Sequence, residues 1–257
     1  RLAFWPAAKC AKAVGVSEST VVRFARSLGY ENYAELQADI WEEIQERLRR
    51  PIPQRLEGTK HEAPSGSQSY LLEALNQDMA NLQETAQTCS EEEFQKAVEL
   101  ILQAKRVFVI GLRASASVAQ FFGYALHLAL PGVQTVSHTA DTFIDTLIDV
   151  DQHATLVVYS FARKARRTLQ MVDFAKQEGA RVVAITDSPL RPPGSTADAT
   201  LLVATQSPAY IQSLAAAFSV SVALLAAITA RSHEVALQRV QKAERALVAC
   251  DVFSTEL

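Results

Sequence analysis

From Arg106 onward the sequence alternates short, β-branched apolar runs with stretches of helical periodicity, a rhythm best satisfied by a parallel sheet with helices on both faces. The runs are VFVI (107–110), VQTVS (133–137), ATLVVYS (154–160), RVVAITD (181–187) and TLLVAT (200–205). Gly111 breaks the first run, and from Ser117 the apolar residues Val118, Phe121, Phe122, Ala125 and Leu126 recur at helical spacing. A strand that turns through Gly and Ser into a helix aims backbone N–H groups and hydroxyls at one point, an arrangement that favours an anion. Further helices are expected near Asp141–Ile148, after the third run, and from about Pro208, where a long Ala/Leu-rich stretch begins.

Ligands of such sheets sit beyond the carboxyl ends of the strands. Three strand ends collect polar residues: Gly111 to Ser117, Ser160 to Thr168 with its Arg cluster, and Thr186-Asp187-Ser188. Hydroxyls and amides at a helix start suit a phosphate monoester, and guanidinium groups add bidentate pairing. There is no Gly-rich dinucleotide fingerprint and no Walker-type Gly-Lys-Ser/Thr, so neither a dinucleotide nor ATP is expected, and no cofactor. Cys10, Cys89 and Cys250 are scattered, which points to a reducing compartment and to no metal site. Isomerisation of a phosphosugar would need a positioned base. His127, His138 and Glu178 have no clear partner in a loop, and Ser160 lacks a nucleophile-elbow pattern; no catalytic residue is assigned.

The N-terminal segment differs in kind. Within 257 residues of net charge −3, residues 1–30 carry Arg1, Lys9, Lys12, Arg23 and Arg26 against Glu18 alone. Ala7 to Val14 reads as a short helix and Gly15-Val16-Ser17 as a tight turn. Ser17 caps a second helix that stops at Gly29, with Val21, Phe24, Ala25 and Leu28 on one face. Two short helices about a glycine turn, with polar and basic residues early in the second, form a helix-turn-helix arrangement, which presents that second helix to the major groove. From Asn32 the chain runs helically to Arg50. Pro51, Pro53, Gly58, Pro64 and Gly66 then mark a linker. The expected organisation is a small all-α domain at 1–50, a linker at 51–67, and an α/β domain with a doubly wound parallel sheet at 68–257. The latter opens with an amphipathic helix carrying Leu71, Leu75, Met79, Leu82 and Ala86 on one stripe, which suits packing on its own domain or on a partner chain, and with a second helix capped at Ser90.

The string GVSESTVVRFARSLGYENYAEL (15–36) closely resembles the DNA-binding domain of the RpiR family of bacterial transcriptional regulators. It departs from the family at Glu31-Asn32, where a Gly often precedes the aromatic residue. That domain also has a helix before Ala7, and the chain does not begin with Met, so the leading part of the first domain is expected to be missing. Carried over by position, the resemblance puts Ser17, Ser19, Thr20 and Arg23 at DNA, with Arg26 reading guanine or gripping phosphate. Residues from about 90 to 231 resemble a SIS (sugar isomerase) domain, the sensor half of such regulators, whose members bind phosphorylated sugars through Ser/Thr-rich loops after the strands. Ser115 matches the first loop, with Ser117 close by. In the second loop Ser160, Arg163, Arg166 and Thr168 match an Arg-rich version found in a subset of the family. Arg113 stands where a small glycine is usual, and the Ser-Gly core of the second loop is absent, so the anion is left open.

The expected function is therefore a DNA-binding transcriptional regulator, not an enzyme, whose SIS domain senses a phosphorylated sugar or related small anionic metabolite. The alternatives are a SIS-fold phosphosugar isomerase and a sensor that does not bind DNA. Expected partners are a double-stranded DNA operator, a phosphorylated sugar-like effector and further copies of the chain in a homodimer or homotetramer. The Ala-rich stretch Leu214 to Ala230 is slightly short for a membrane span and interrupted by Ser219, Ser221 and Thr229, so a buried helix and a soluble, cytoplasmic protein are expected.

Overall fold

In the computed structural model, which describes residues 5–49, 56, 69–137, 141–162 and 165–252, the five apolar runs become one parallel sheet. Its strands are β1 (Arg106–Gly111), β2 (Val133–Val136), β3 (Ala154–Ser160), β4 (Arg181–Thr186) and β5 (Ala199–Leu202), in the order β2-β1-β3-β4-β5. The chain divides into two compact units, Arg1–Lys60 and His61–Leu257.

In the second unit, α4 (Tyr70–Thr88) and α5 (Glu91–Gln103) precede the sheet. Helices α6 (Ala116–Ala129) and α7 (Arg166–Gln177) follow β1 and β3, and α8 (Ala215–Arg231) and α9 (His233–Ala249) close the chain. Alternate strand residues go to opposite faces, as a period of two requires. Val107, Val109, Val157, Tyr159, Val183 and Ile185 pack with α5, α6 and α8. Phe108, Ile110, Leu156, Val158 and Val182 pack with Met171, Val172 and Ala175 of α7 and with Leu147. Burial on both faces is what allows these strands to be apolar without interruption. Tyr159, buried in this core, donates to Ser221 Oγ (2.7 Å), which in turn donates to the Ala217 carbonyl of α8 (2.7 Å). Burial raises the Tyr159 pKa, so the phenol stays a donor.

One sequence expectation is corrected here. The helix expected from about Pro208 begins only at Ala215, where the Ser213 hydroxyl accepts from the Ala215 amide; residues 207–214 are held instead by contacts to Asp78 and Thr205. The short helix expected near Asp141–Ile148 is present as a 3-10 helix, Asp141–Asp149. Among the described residues no single helix is long and apolar enough to cross a membrane.

The first unit contains α1 (Ala7–Val14), α2 (Glu18–Ser27) and α3 (Tyr33–Arg49). Its core is Cys10, Ala11, Val21, Ala25, Tyr33 and Leu36. Gly15 ends α1 at φ 76°, the left-handed conformation that favours glycine. Phe24 and Leu28, read as sharing a face with Val21 and Ala25, are each 54% exposed. The i, i+4 pair Val21 and Ala25 is the buried part of α2, with the half-buried Val22 packed beside it. Apart from Leu56, the expected linker at 51–67 lies outside the described residues.

The Tyr159–Ser221 bond is buried and neutral, so Tyr159→Phe should lower unfolding stability by about 1 kcal/mol. Urea denaturation checks this: a lower midpoint with an unchanged slope is expected, and an unchanged midpoint would show that the pin is energetically silent.

Candidate functional site

The strand order places β1 between β2 and β3, with successive connections leaving in opposite directions, so the sheet has its topological switch point between β1 and β3. Open α/β sheets bind ligands in the crevice beyond the carboxyl ends at such a point. Gly111 pairs with Tyr159 across it, so the loops that begin at Leu112 and Ser160 leave the sheet side by side.

The first loop folds back tightly. A Cβ on Gly111 would lie 2.5 Å from the Ser115 carbonyl oxygen and 2.6 Å from Ala119 Cβ; only glycine permits this return. Arg113 has φ 59°, so the backbone keeps a glycine-like conformation at a cost of roughly 1–2 kcal/mol, while its side chain is exposed. Ser115 is buried and stands at the start of α6 without bonding that helix's amides. Ser117 is exposed and donates to the Ala114 carbonyl (3.0 Å).

The second loop leaves β3 at Ser160, whose side chain is buried and whose Oγ has no hydrogen-bond partner among the described residues. Leaving a buried hydroxyl unsatisfied costs about 1–3 kcal/mol, so this position suits a ligand acceptor or donor. Thr168 is buried and Arg166 exposed in the first turn of α7, and Ala165 at its N-cap supplies no side-chain bond. By contrast Ser17, Ser69 and Ser90 cap α2, α4 and α5. Thus α6 and α7, the two helices that start at the switch point, have no N-cap side-chain bond, as is also true of α1, α8 and α9; a 3-10 turn, Arg113–Ser115, leads into α6, and the Ala116 amide donates to the Arg113 carbonyl. Arg163 lies outside the described residues.

A third set, from the end of β4, was legible as a strand end but absent from the candidates. Ser188 is fully buried and its Oγ also has no partner among the described residues. Asp187 is buried, and its Oδ2 accepts from the Ala162 amide (2.8 Å) and from Gln212 Nε2 (3.3 Å). The carboxylate thereby holds the second loop in place. Nothing in the sequence marked Gln212. Of the bases considered, Glu178 is exposed at the end of α7 and His127 is exposed near the end of α6. Both helix ends lead into strand starts, at the edge of the sheet opposite the loops. His138 lies outside the described residues.

In the first unit, Ser17 Oγ accepts from the Thr20 amide (3.2 Å) and lies 2.9 Å from Ser19 Oγ and 2.7 Å from Thr20 Oγ1. Three hydroxyls therefore cluster at the start of α2. Arg23 is exposed on the same helix. Arg26, also exposed, donates through Nε to the Glu31 carbonyl (3.2 Å), bracing the turn that leads into α3.

Known proteins share both units. The sequence profile of the SIS domain matches residues 100–231, and that of the helix-turn-helix domain of the rpiR family matches residues 6–47. The sugar isomerase domain of the RpiR transcription factor from Sphaerobacter thermophilus is 30% identical, with a TM-score of 0.65, over 69% of this chain and 99% of that one. The Vibrio vulnificus NanR protein complexed with ManNAc-6P shares the fold at 18% identity and a TM-score of 0.57, over 97% of this chain and 88% of that one. The HTH-type transcriptional regulator HexR of Pseudomonas aeruginosa is 27% identical over 191 residues, which are 70% of this chain and 60% of HexR. The chain thus spans about 60% of the length of that curated relative. A helix-turn-helix of the rpiR type joined to a SIS sheet, with 30% identity to an RpiR protein across its whole SIS domain, makes this chain a member of the RpiR family.

Proposed function

We propose that the chain is a DNA-binding transcriptional regulator whose SIS domain senses a phosphorylated sugar or a related small anionic metabolite. The observation that carries the sensing half is the buried, unpartnered Ser160 hydroxyl at the switch point, beside two helix starts with no N-cap side chain. Backbone amides there meet the oxygens of a phosphate, and Ser115, Ser160 and Thr168 supply hydroxyls. Ser117 and the exposed Arg166 flank the same edge, and Arg163 belongs to the same loop by sequence. NanR, which shares the fold, is complexed with ManNAc-6P, and a ligand of that kind supports this reading.

The DNA half rests on α2. Ser17, Ser19 and Thr20 place three hydroxyls at its start, and Arg23 and Arg26 extend from its exposed surface. Hydroxyls and helix N-termini hold phosphates, and an arginine reads guanine or adds a phosphate contact. The expected target is a double-stranded operator, read with two-fold symmetry by a homodimer or homotetramer. Exposed apolar residues on α8 and α9, among them Val222, Val235, Leu237 and Val240, support assembly of more than one copy. A cytoplasmic location follows from this role. A phosphosugar isomerase is the competing reading; the positions of His127 and Glu178, away from the loops, weigh against it.

Two outcomes are expected. Operator affinity should fall steeply with salt, and Arg23→Ala should weaken binding by about 1–3 kcal/mol if it contacts a base, or flatten the salt slope by about one unit if it grips a phosphate. Fluorescence anisotropy with selected operator DNA measures both; turnover of a ketose phosphate without DNA binding would establish the isomerase. Ser160→Ala removes an unsatisfied buried hydroxyl, so the unliganded melting temperature should hold or rise. The thermal stabilisation given by a binding sugar phosphate should be lost. Retained stabilisation would refute Ser160 as a ligand contact.

A further inference from the structure

α4 is bound to its domain the wrong way round for an amphipathic helix. Leu71, Leu75, Met79 and Leu82, its apolar stripe, are exposed, whereas its buried residues are Asn81 and Thr85. These two meet the extended chain that continues beyond the edge strand β5. Thr85 Oγ1 accepts from the Ala204 amide (2.9 Å), and Asn81 both accepts from the Gln206 amide (3.2 Å) and donates to the Gln206 carbonyl (2.7 Å). The fit is metric. Four helical residues advance about 6 Å and two extended residues about 6.6 Å, so residues 81 and 85 match the backbone groups of residues 206 and 204. One turn earlier on α4, Asp78 accepts from the Ser213 hydroxyl (2.5 Å). Asp78, Asn81 and Thr85 thus hold both ends of the segment 204–213.

That same segment reaches the candidate effector site. Gln212 donates to Asp187 Oδ2 (3.3 Å) and lies 3.4 Å from Thr205 Oγ1, while the Ser213 amide donates to the Thr205 carbonyl (3.3 Å). Asp187 Oδ2 also takes the Ala162 amide of the second loop. A continuous set of hydrogen bonds therefore runs from the loop after β3, through Asp187 and Gln212, along 204–213 and into α4, which the chain enters directly from residues 50–69. Contacts of this kind are position-specific in a way that apolar packing is not. A small displacement of the second loop has to be met by movement of Gln212 and of the segment α4 grips.

We propose that Asp187, Gln212 and the 204–213 segment couple the switch-point site to α4, with Gln212 as the positioning residue, so that effector occupancy is passed toward the DNA-binding unit. This rests on the regulator reading above and assigns its route of regulation. Coupling is demonstrated when two sites bias one shared element.

Hydrogen exchange on the full chain without added ligand tests the route, so the outcome does not depend on the identity of the effector. Asp187→Ala removes the one carboxylate oxygen on which the Ala162 amide and Gln212 Nε2 converge. It should speed exchange in peptides spanning 70–88 about fivefold. In a chain that already carries Gln212→Ala, the same change should leave those peptides unaltered. Equal acceleration in both backgrounds, or none in either, overturns the proposal. Should Asp187→Ala unfold the chain, Gln212→Ala alone decides: faster exchange in both 70–88 and 154–162 is expected, and acceleration confined to 205–213 overturns it. Intact coupling in a chain that binds no DNA would instead sink the regulator reading and leave the route standing.

Discussion

Everything at the candidate site depends on the pairing of β1 with β3. Because β2 lies on the other side of β1, the connections after β1 and β3 diverge, and a crevice opens between them that no crossover fills. The parallel register then sets Gly111 opposite Tyr159, and two helices begin with their amide ends at that crevice. The proposed anion site draws on helix dipoles that this topology aims at one point, with hydroxyls added beside them. The apolar cores on the two sheet faces hold the strands in register. Tyr159, whose hydroxyl reaches through to Ser221 of α8, ties the strand that carries Ser160 to the helix layer behind it.

Much of this was legible in the sequence because buried parallel strands announce themselves as uninterrupted β-branched runs. Gly111 and Ser160 marked where two of those strands end. The resemblance to SIS domains assigned Ser115 and Ser160, and the structure shows both buried at the switch point. Arg113 was legible as a departure from a usual glycine, and its positive φ shows that the backbone kept the glycine conformation while the side chain changed. The helix-turn-helix was equally clear, since Gly15 and the Ser17 cap depend on local chemistry alone.

What the sequence did not disclose depends on contacts between distant segments. Hydrophobic periodicity left the apolar stripe of α4 to its own domain or to a partner chain; the stripe is exposed, and Asn81 and Thr85 are the residues turned inward. The chain beyond the edge strand β5 presents backbone N–H and C=O groups that must be paired, and that requirement outweighs the apolar stripe. The late start of α8 has a related cause: Ser213 bonds Asp78, more than a hundred residues away in sequence, and Gln212 reaches Asp187. Phe24 and Leu28 share a helical stripe with Val21 and Ala25 but stay exposed, because a short helix in so small a unit buries a narrow face.

In the proposed switch, one unit holds DNA and the other a phosphorylated ligand. Reciprocal linkage tests it most directly. The affinity of a binding sugar phosphate should be measured by calorimetry on the free protein and on the protein saturated with its operator. The proposed switch requires that operator change ligand affinity, and that ligand change operator affinity by the same factor, on the order of 5- to 150-fold. Ligand affinity that is identical with and without bound operator would contradict it.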